Sequence, residues 1–133
     1  MVPVDYKLFC FNGLNGSVGC VAVDLGRYVQ HKRNIYDSDF CFLKNVSFGF
    51  KRENDAEVLC PPLFSEMKKI ATALAQPFPH VRVDFFAIGE KIYIGELTFF
   101  NGAGFDMITP YEYNLQMGNW IILPEKGGEN TNG

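Results

Sequence analysis

Residues that would mark a metal finger, a disulfide scaffold or a membrane anchor are scarce here. Only two histidines and four cysteines occur in 133 residues. There is no CxxC pair, and neither histidine stands at zinc-ligand spacing, which excludes the common structural zinc patterns. Cys10 and Cys20 lie in apolar, strand-like runs and read as reduced, structural thiols. No apolar run approaches the roughly 20 residues of a membrane span. No basic segment followed by a long apolar one opens the chain, so a secretory signal peptide is not expected. Without one, the sequons Asn15-Gly16-Ser17 and Asn45-Val46-Ser47 carry no weight, and the default compartment is the cytoplasm. Basic residues are not in excess: the net charge is −3, which argues against nucleic acid or an anionic membrane as the main partner. Neither GxGxxG nor GxxxxGK[ST] is present, so no phosphate loop of those kinds is available. No internal repeat or low-complexity block occurs.

What is present is enough apolar mass for one domain: 47% of residues are hydrophobic, and aromatics make up 15% of the chain. A chain of this size buries roughly two thirds of its unfolded surface. Tyr6 to Phe11 and Ser17 to Leu25 are rich in strand formers and flank the turn signals Asn12-Gly13 and Asn15-Gly16, which predicts a hairpin. Gly26 to Lys44 is polar, with Arg27, His31, Lys32 and Arg33 clustered. It reads as loop, with a short strand near Phe40 to Leu43 and another near Val46 to Phe50. Pro61-Pro62 opens a helix, since proline suits the first turn. Phe64, Met67, Ile70, Ala71 and Leu74 form its apolar stripe, with Glu66, Lys68 and Lys69 facing water. Gln76-Pro77 ends it. Thr109-Pro110-Tyr111-Glu112 is a second helix start of capping-box type, for a short helix stopping near Gly118. Residues 1–124 are expected to form the domain and 125–133 a frayed tail. The order predicts an α+β fold, an antiparallel sheet covered by one main helix.

The segment Val81 to Gly104, VRVDFFAIGEKIYIGELTFFNGAG, reads as a second hairpin. With Gly89-Glu90-Lys91 as a three-residue turn, Ile88 pairs with Ile92, Phe86 with Ile94, Asp84 with Glu96 and Arg82 with Thr98. One face then runs from apolar at the turn to Arg/Asp/Glu/Thr at the far end. The other carries Val83, Phe85, Ala87, Tyr93, Gly95, Leu97 and Phe99 for packing on the helix. A two-residue turn would put Asp84 and Glu96 on opposite faces. Two facing carboxylates repel by about 4 kcal/mol at ~4 Å and an effective dielectric of ~20. Something cationic is needed beside them: a neighbouring base such as Arg82, or a divalent ion. Mg²⁺ held by one or two carboxylates usually holds substrate phosphates as well.

The runs RVDFF, KIYIGELTF and NGAGF resemble the C-terminal catalytic core of ATP-grasp ligases. With DYKLFCFNG, an aspartate–arginine segment around the second strand and EMKKIATAL, the chain is similar over roughly residues 5 to 123 to the TupA-like ATP-grasp group. That group is associated with teichuronopeptide and cell-surface polysaccharide synthesis. The resemblance implies the C-terminal lobe of the ATP-grasp fold, ATP and Mg²⁺ as cofactors, and an acyl-phosphate ligase joining a carboxylate to an amine on a polymer precursor. It implies Asp84 and Glu96 as metal ligands and Thr98 at the place of a third, where many members carry Asn. Arg82 would stabilise the charge developing on the transferred group, and Asn101 and Gly104 would shape a substrate-side loop. Lys7 and Arg27 would stand near the phosphates and Phe86 near the nucleotide. The match begins inside the second lobe, so an N-terminal lobe, as part of a longer chain or as another subunit, is the expected partner. Two other readings stay open. One is a non-catalytic binding or assembly module. The other is a glycosyltransferase holding metal through Asp37-Ser38-Asp39.

Overall fold

A computed structural model describes residues 4–14, 17–25, 32–48, 59–99, 108–109 and 111–121. Its centre is a five-stranded antiparallel sheet. The strands are β1 (Val4–Phe11), β2 (Val18–Leu25), β3 (Lys32–Asp37), β5 (His80–Ile88) and β6 (Lys91–Phe99), in the order β3-β2-β1-β5-β6. Two-residue strands β4 (Ser47–Phe48) and β7 (Ile108–Thr109) pair separately. The main helix α1 (Phe64–Ala75) follows Pro61-Pro62 as expected, and α2 (Tyr111–Asn119) is the short second helix. The α+β reading therefore holds. Among the described residues no helix is long and apolar enough to cross a membrane.

Alternation along each strand divides the side chains between two faces. On one face Tyr6, Leu8, Val21, Val23, Tyr36, Val81, Val83 and Phe85 pack against Phe64, Met67, Ala71 and Ala75 of α1. The helix thus buries the stripe its sequence marks. Lys68 departs from the expected water-facing position: it is half-buried, its ammonium donating to the Ser38 carbonyl and lying over the Phe64 ring. On the opposite face Phe9, Phe11, Cys20, Ala22 and Ile35 pack against Met117 of α2 with Tyr113 and Trp120 alongside. None of the four cysteines is in a disulfide, and Cys10 and Cys20 are buried. Burial pushes the Cys10 thiol up to about 12, consistent with inert structural thiols.

Two expectations are corrected. The polar segment read as loop holds β3, an edge strand at Lys32–Asp37, while Phe40 to Leu43 contributes only the isolated bridge Tyr36↔Phe42. Asn34, Ile35 and Tyr36 are all buried. A strand covered on both faces loses the apolar–polar alternation by which it would be recognised. The second hairpin also turns differently. Ile88 pairs with Lys91 across a two-residue turn, Gly89-Glu90, with Gly89 at φ +62°, where glycine carries no steric cost. Phe86 pairs with Tyr93, so Tyr93 joins the Arg82–Asp84 face. Ile92 joins the α1 side, where it packs against the core together with Leu97, which lies there as expected.

The expected Asp84↔Glu96 and Arg82↔Thr98 pairs survive because the ladder slips by one residue between Asp84 and Phe85. Gly95 is the extra residue of this β-bulge. A Cβ on Gly95 would lie 2.7 Å from the Phe86 ring, so any other residue there would have to push that ring aside.

Candidate functional site

The face of the sheet opposite α1 changes character along its length. Beyond Phe9, β1 presents Lys7 and Asp5. Register places Lys7 opposite Asp84 on β5 and Ala22 on β2, and Asp5 opposite Phe86 and Asp24. Asp24 in turn lies opposite Arg33 of β3. Four strands thereby deliver three carboxylates, Asp5, Asp24 and Asp84, and three bases, Lys7, Arg33 and Arg82, to one patch. Their formal charges sum to zero.

Lys7 is the hub. Its ammonium donates to Asp5 Oδ2 at 2.7 Å and to Asp84 Oδ2 at 3.1 Å, and stands 3.6 Å from Asp24 Oδ2. Arg33 closes the β3 side with a two-pronged pair to Asp24. On the other side Arg82 donates from Nε to Asp84 Oδ1 at 2.8 Å and from Nη2 to Asp84 Oδ2 at 3.0 Å. All three acids and Lys7 are buried. Burying an ion is tolerated when it is paired and hydrogen-bonded, and the alternation of signs across the strands supplies both.

Glu96, directly opposite Asp84, differs sharply from it. It is exposed, and its carboxylate accepts only the Thr98 hydroxyl, at 3.3 Å, with no basic partner among the described residues. The cation anticipated beside the acidic pair is thus supplied to Asp84 by Arg82 and Lys7. Phe86 borders the patch, half-buried over the bulge. Lys7, Arg82, Asp84, Phe86, Glu96 and Thr98 therefore share one face. Arg27, Asn101 and Gly104 lie outside the described residues, as does the tail 125–133. Asp24 and Arg33 belong to the patch although sequence reasoning passes over them. The signal that could find them is an acid near the end of an otherwise apolar strand followed by a basic cluster.

The residues present fit Mg²⁺. Asp84 and Glu96 are hard oxygen donors on paired positions, with the Thr98 hydroxyl beside them. A carboxylate offers about four lone-pair positions, and three donor bonds on Asp84 leave one. Glu96 adds one negative charge to an otherwise neutral array. Among the described residues no cluster of three or more His, Cys, Asp or Glu could hold an ion. Mg²⁺ held by one or two carboxylates completes its shell with water and phosphate oxygens.

Asp37, the start of the Asp-x-Asp segment, is used locally. Its Oδ1 accepts the backbone amides of Asp39 and Cys41. This is the turn-forming use of aspartate.

No curated protein and no solved structure matches the chain. A family model described as TupA-like ATPgrasp matches residues 3–122. With that match spanning nearly the whole chain, and an antiparallel sheet that sets Arg82–Asp84 against Glu96–Thr98, the chain belongs to the TupA-like ATP-grasp family.

Proposed function

We propose that this chain supplies the Mg²⁺-nucleotide face of a carboxylate–amine ligase acting on a cell-surface polymer precursor. ATP-grasp proteins in general bind ATP and act as ligases, and membership makes nucleotide the expected ligand. The observation that carries the reading is the placement of Asp84 and Glu96 on facing strand positions, with Arg82 alongside. In the proposed reaction a carboxylate oxygen attacks the terminal phosphorus of ATP, and ADP leaves with the electrons of the broken bond. An amine then attacks the acyl carbon, losing its proton as phosphate departs. Mg²⁺, when bound, would neutralise charge on the phosphates. Asp84 and Glu96 would hold it, with Thr98 steadying Glu96. Arg82, a planar donor fork matched to phosphate, would face the charge that builds on the transferred group. Lys7 fixes the Asp84 carboxylate from the β1 side. Phe86 offers an apolar flank to the nucleotide, and an N-terminal lobe would cover the charged end from the other side.

The test is calorimetric binding of Mg²⁺-ADP to the chain and to Asp84→Asn. At least tenfold weaker binding by the variant is expected; binding that ignores the substitution overturns the assignment. One observation favours a second reading, a non-catalytic assembly module: Asp84 is already neutralised by two of the chain's own cations. ATP turnover with a supplied N-terminal lobe separates the readings, because an assembly module would bind that lobe without turnover.

A further inference from the structure

Asp84 receives two cations, and they are held very differently. Lys7 divides its ammonium among three carboxylates from three strands, at 2.7, 3.1 and 3.6 Å. Its side chain is 8% exposed. Arg82 sits two residues from Asp84 on the same strand and face, and Asp84 takes both of its donor bonds. Its side chain is 18% exposed, at the margin nearer the open edge strand β6. Take Asp84 away, and Lys7 keeps Asp5 and Asp24 while Arg82 keeps neither of these bonds.

We propose that Arg82 is the exchangeable cation of this site: it occupies Asp84 in the metal-free protein and leaves when a divalent ion takes Asp84 with Glu96, whereas Lys7 stays. This rests on the metal reading above and deepens it. Arg82 and a dication compete for one carboxylate, and like charges at that separation repel. Lys7 is the more buried of the two and is held by Asp5 and Asp24 as well as Asp84, so it stays. Arg82 yields at little cost, because it is partly exposed and its guanidinium then meets an anion in the open site. Arrival of the metal and presentation of the arginine fork to a substrate oxyanion are thereby a single event. Before metal arrives, the same pair keeps Arg82 from capturing stray anions.

The experiment uses Mn²⁺ as a paramagnetic probe on the full 133-residue chain, without nucleotide, comparing wild type, Arg82→Met, Asp84→Asn and the double variant Arg82→Met/Glu96→Gln. A unit charge in contact with a carboxylate near a protein surface changes its affinity for a second cation by roughly tenfold or more. Removing Arg82 is accordingly expected to tighten Mn²⁺ binding about tenfold or more, and Glu96→Gln is expected to cancel the gain. Unchanged or weaker binding by Arg82→Met, with binding by wild type lost in Asp84→Asn, overturns the exchange and leaves the metal reading standing. No Mn²⁺ binding by wild type or Arg82→Met overturns both. A wild-type measurement is independent of how the variants fold. The Arg82 Nε–H resonance should lose its hydrogen-bonded shift and slow exchange on Mg²⁺ addition. A resonance unmoved at saturating Mg²⁺ rejects the exchange.

Discussion

Two ends of one sheet face can be compared directly, because the same strands build both. At one end Phe9, Phe11, Cys20, Ala22 and Ile35 are sealed by Met117 of α2. At the other, Asp5 and Lys7 further along β1, Asp24 further along β2 and Asp84 on the neighbouring β5 are also buried. The first end is held by non-directional burial, which tolerates any well-packed apolar set. The second holds only if every sign meets its opposite. Replacing a buried ionic cluster by apolar residues is often neutral or stabilising, so stability gives no reason for the charges. The ligand site proposed above would give one.

The comparison breaks most visibly at the hub. Lys7→Met leaves three carboxylates without their shared cation, and breaking a buried ionic set costs about 3–5 kcal/mol. Urea denaturation should show it; a loss under about 1 kcal/mol would mean that the charged end does not depend on Lys7. At the apolar end of the same face, Ile35→Val removes one methylene from a fully buried side chain and should cost about 0.5–1.5 kcal/mol. If the two variants lose equal stability, the two ends are not held by different physics.

The same contrast explains what is legible in the sequence. α1 carries a strong periodic signal because one face lies on a core, while β1 and β2, buried on both faces, show as near-continuous apolar runs between turn signals, and all three stand where the sequence puts them. The Asp84↔Glu96 pair is legible too, but for an incomplete reason. Clean segregation of polar from apolar side chains favours a three-residue turn, whereas a two-residue turn plus a bulge at Gly95 restores the same pairing. Pattern alone cannot distinguish an extra residue in the turn from one in the strand. Asp24 and Arg33 are not legible as a pair, because β3 is buried on both faces and reads as polar loop. An ionic cluster assembled from four strands shows in sequence only as single charges, each indistinguishable from a solvated one.

Smaller in energy, and sharper as a division of labour, is the contrast between Asp84 and Glu96. Glu96 is exposed and, among the described residues, bonded only to Thr98. Glu96→Gln should change stability by no more than about 0.5 kcal/mol, as surface substitutions do. It should weaken Mg²⁺-ADP binding measured by calorimetry several-fold. A destabilised fold, or unchanged binding, would erase the distinction between a structural and a ligand-facing acid.

The smallest expected effect lies at the apolar end and concerns His80. Its Nδ1 faces the Cys10 carbonyl at 2.6 Å, and its ring stacks on Phe11 at 4.4 Å. Burial lowers its pKa from the ordinary value of 6.5, against an opposing contribution from the carbonyl bond. Above pH 6.5 the ring is neutral in both folded and unfolded chains and contributes no pH dependence. As pH falls through 6.5 the unfolded chain takes up a proton that the folded one refuses, so stability declines. The decline ends once pH passes the lowered folded value, where both states are protonated. The urea midpoint of the wild type should therefore drop more between about pH 7.5 and pH 5 than that of His80→Gln. Equal drops would place the acid sensitivity elsewhere.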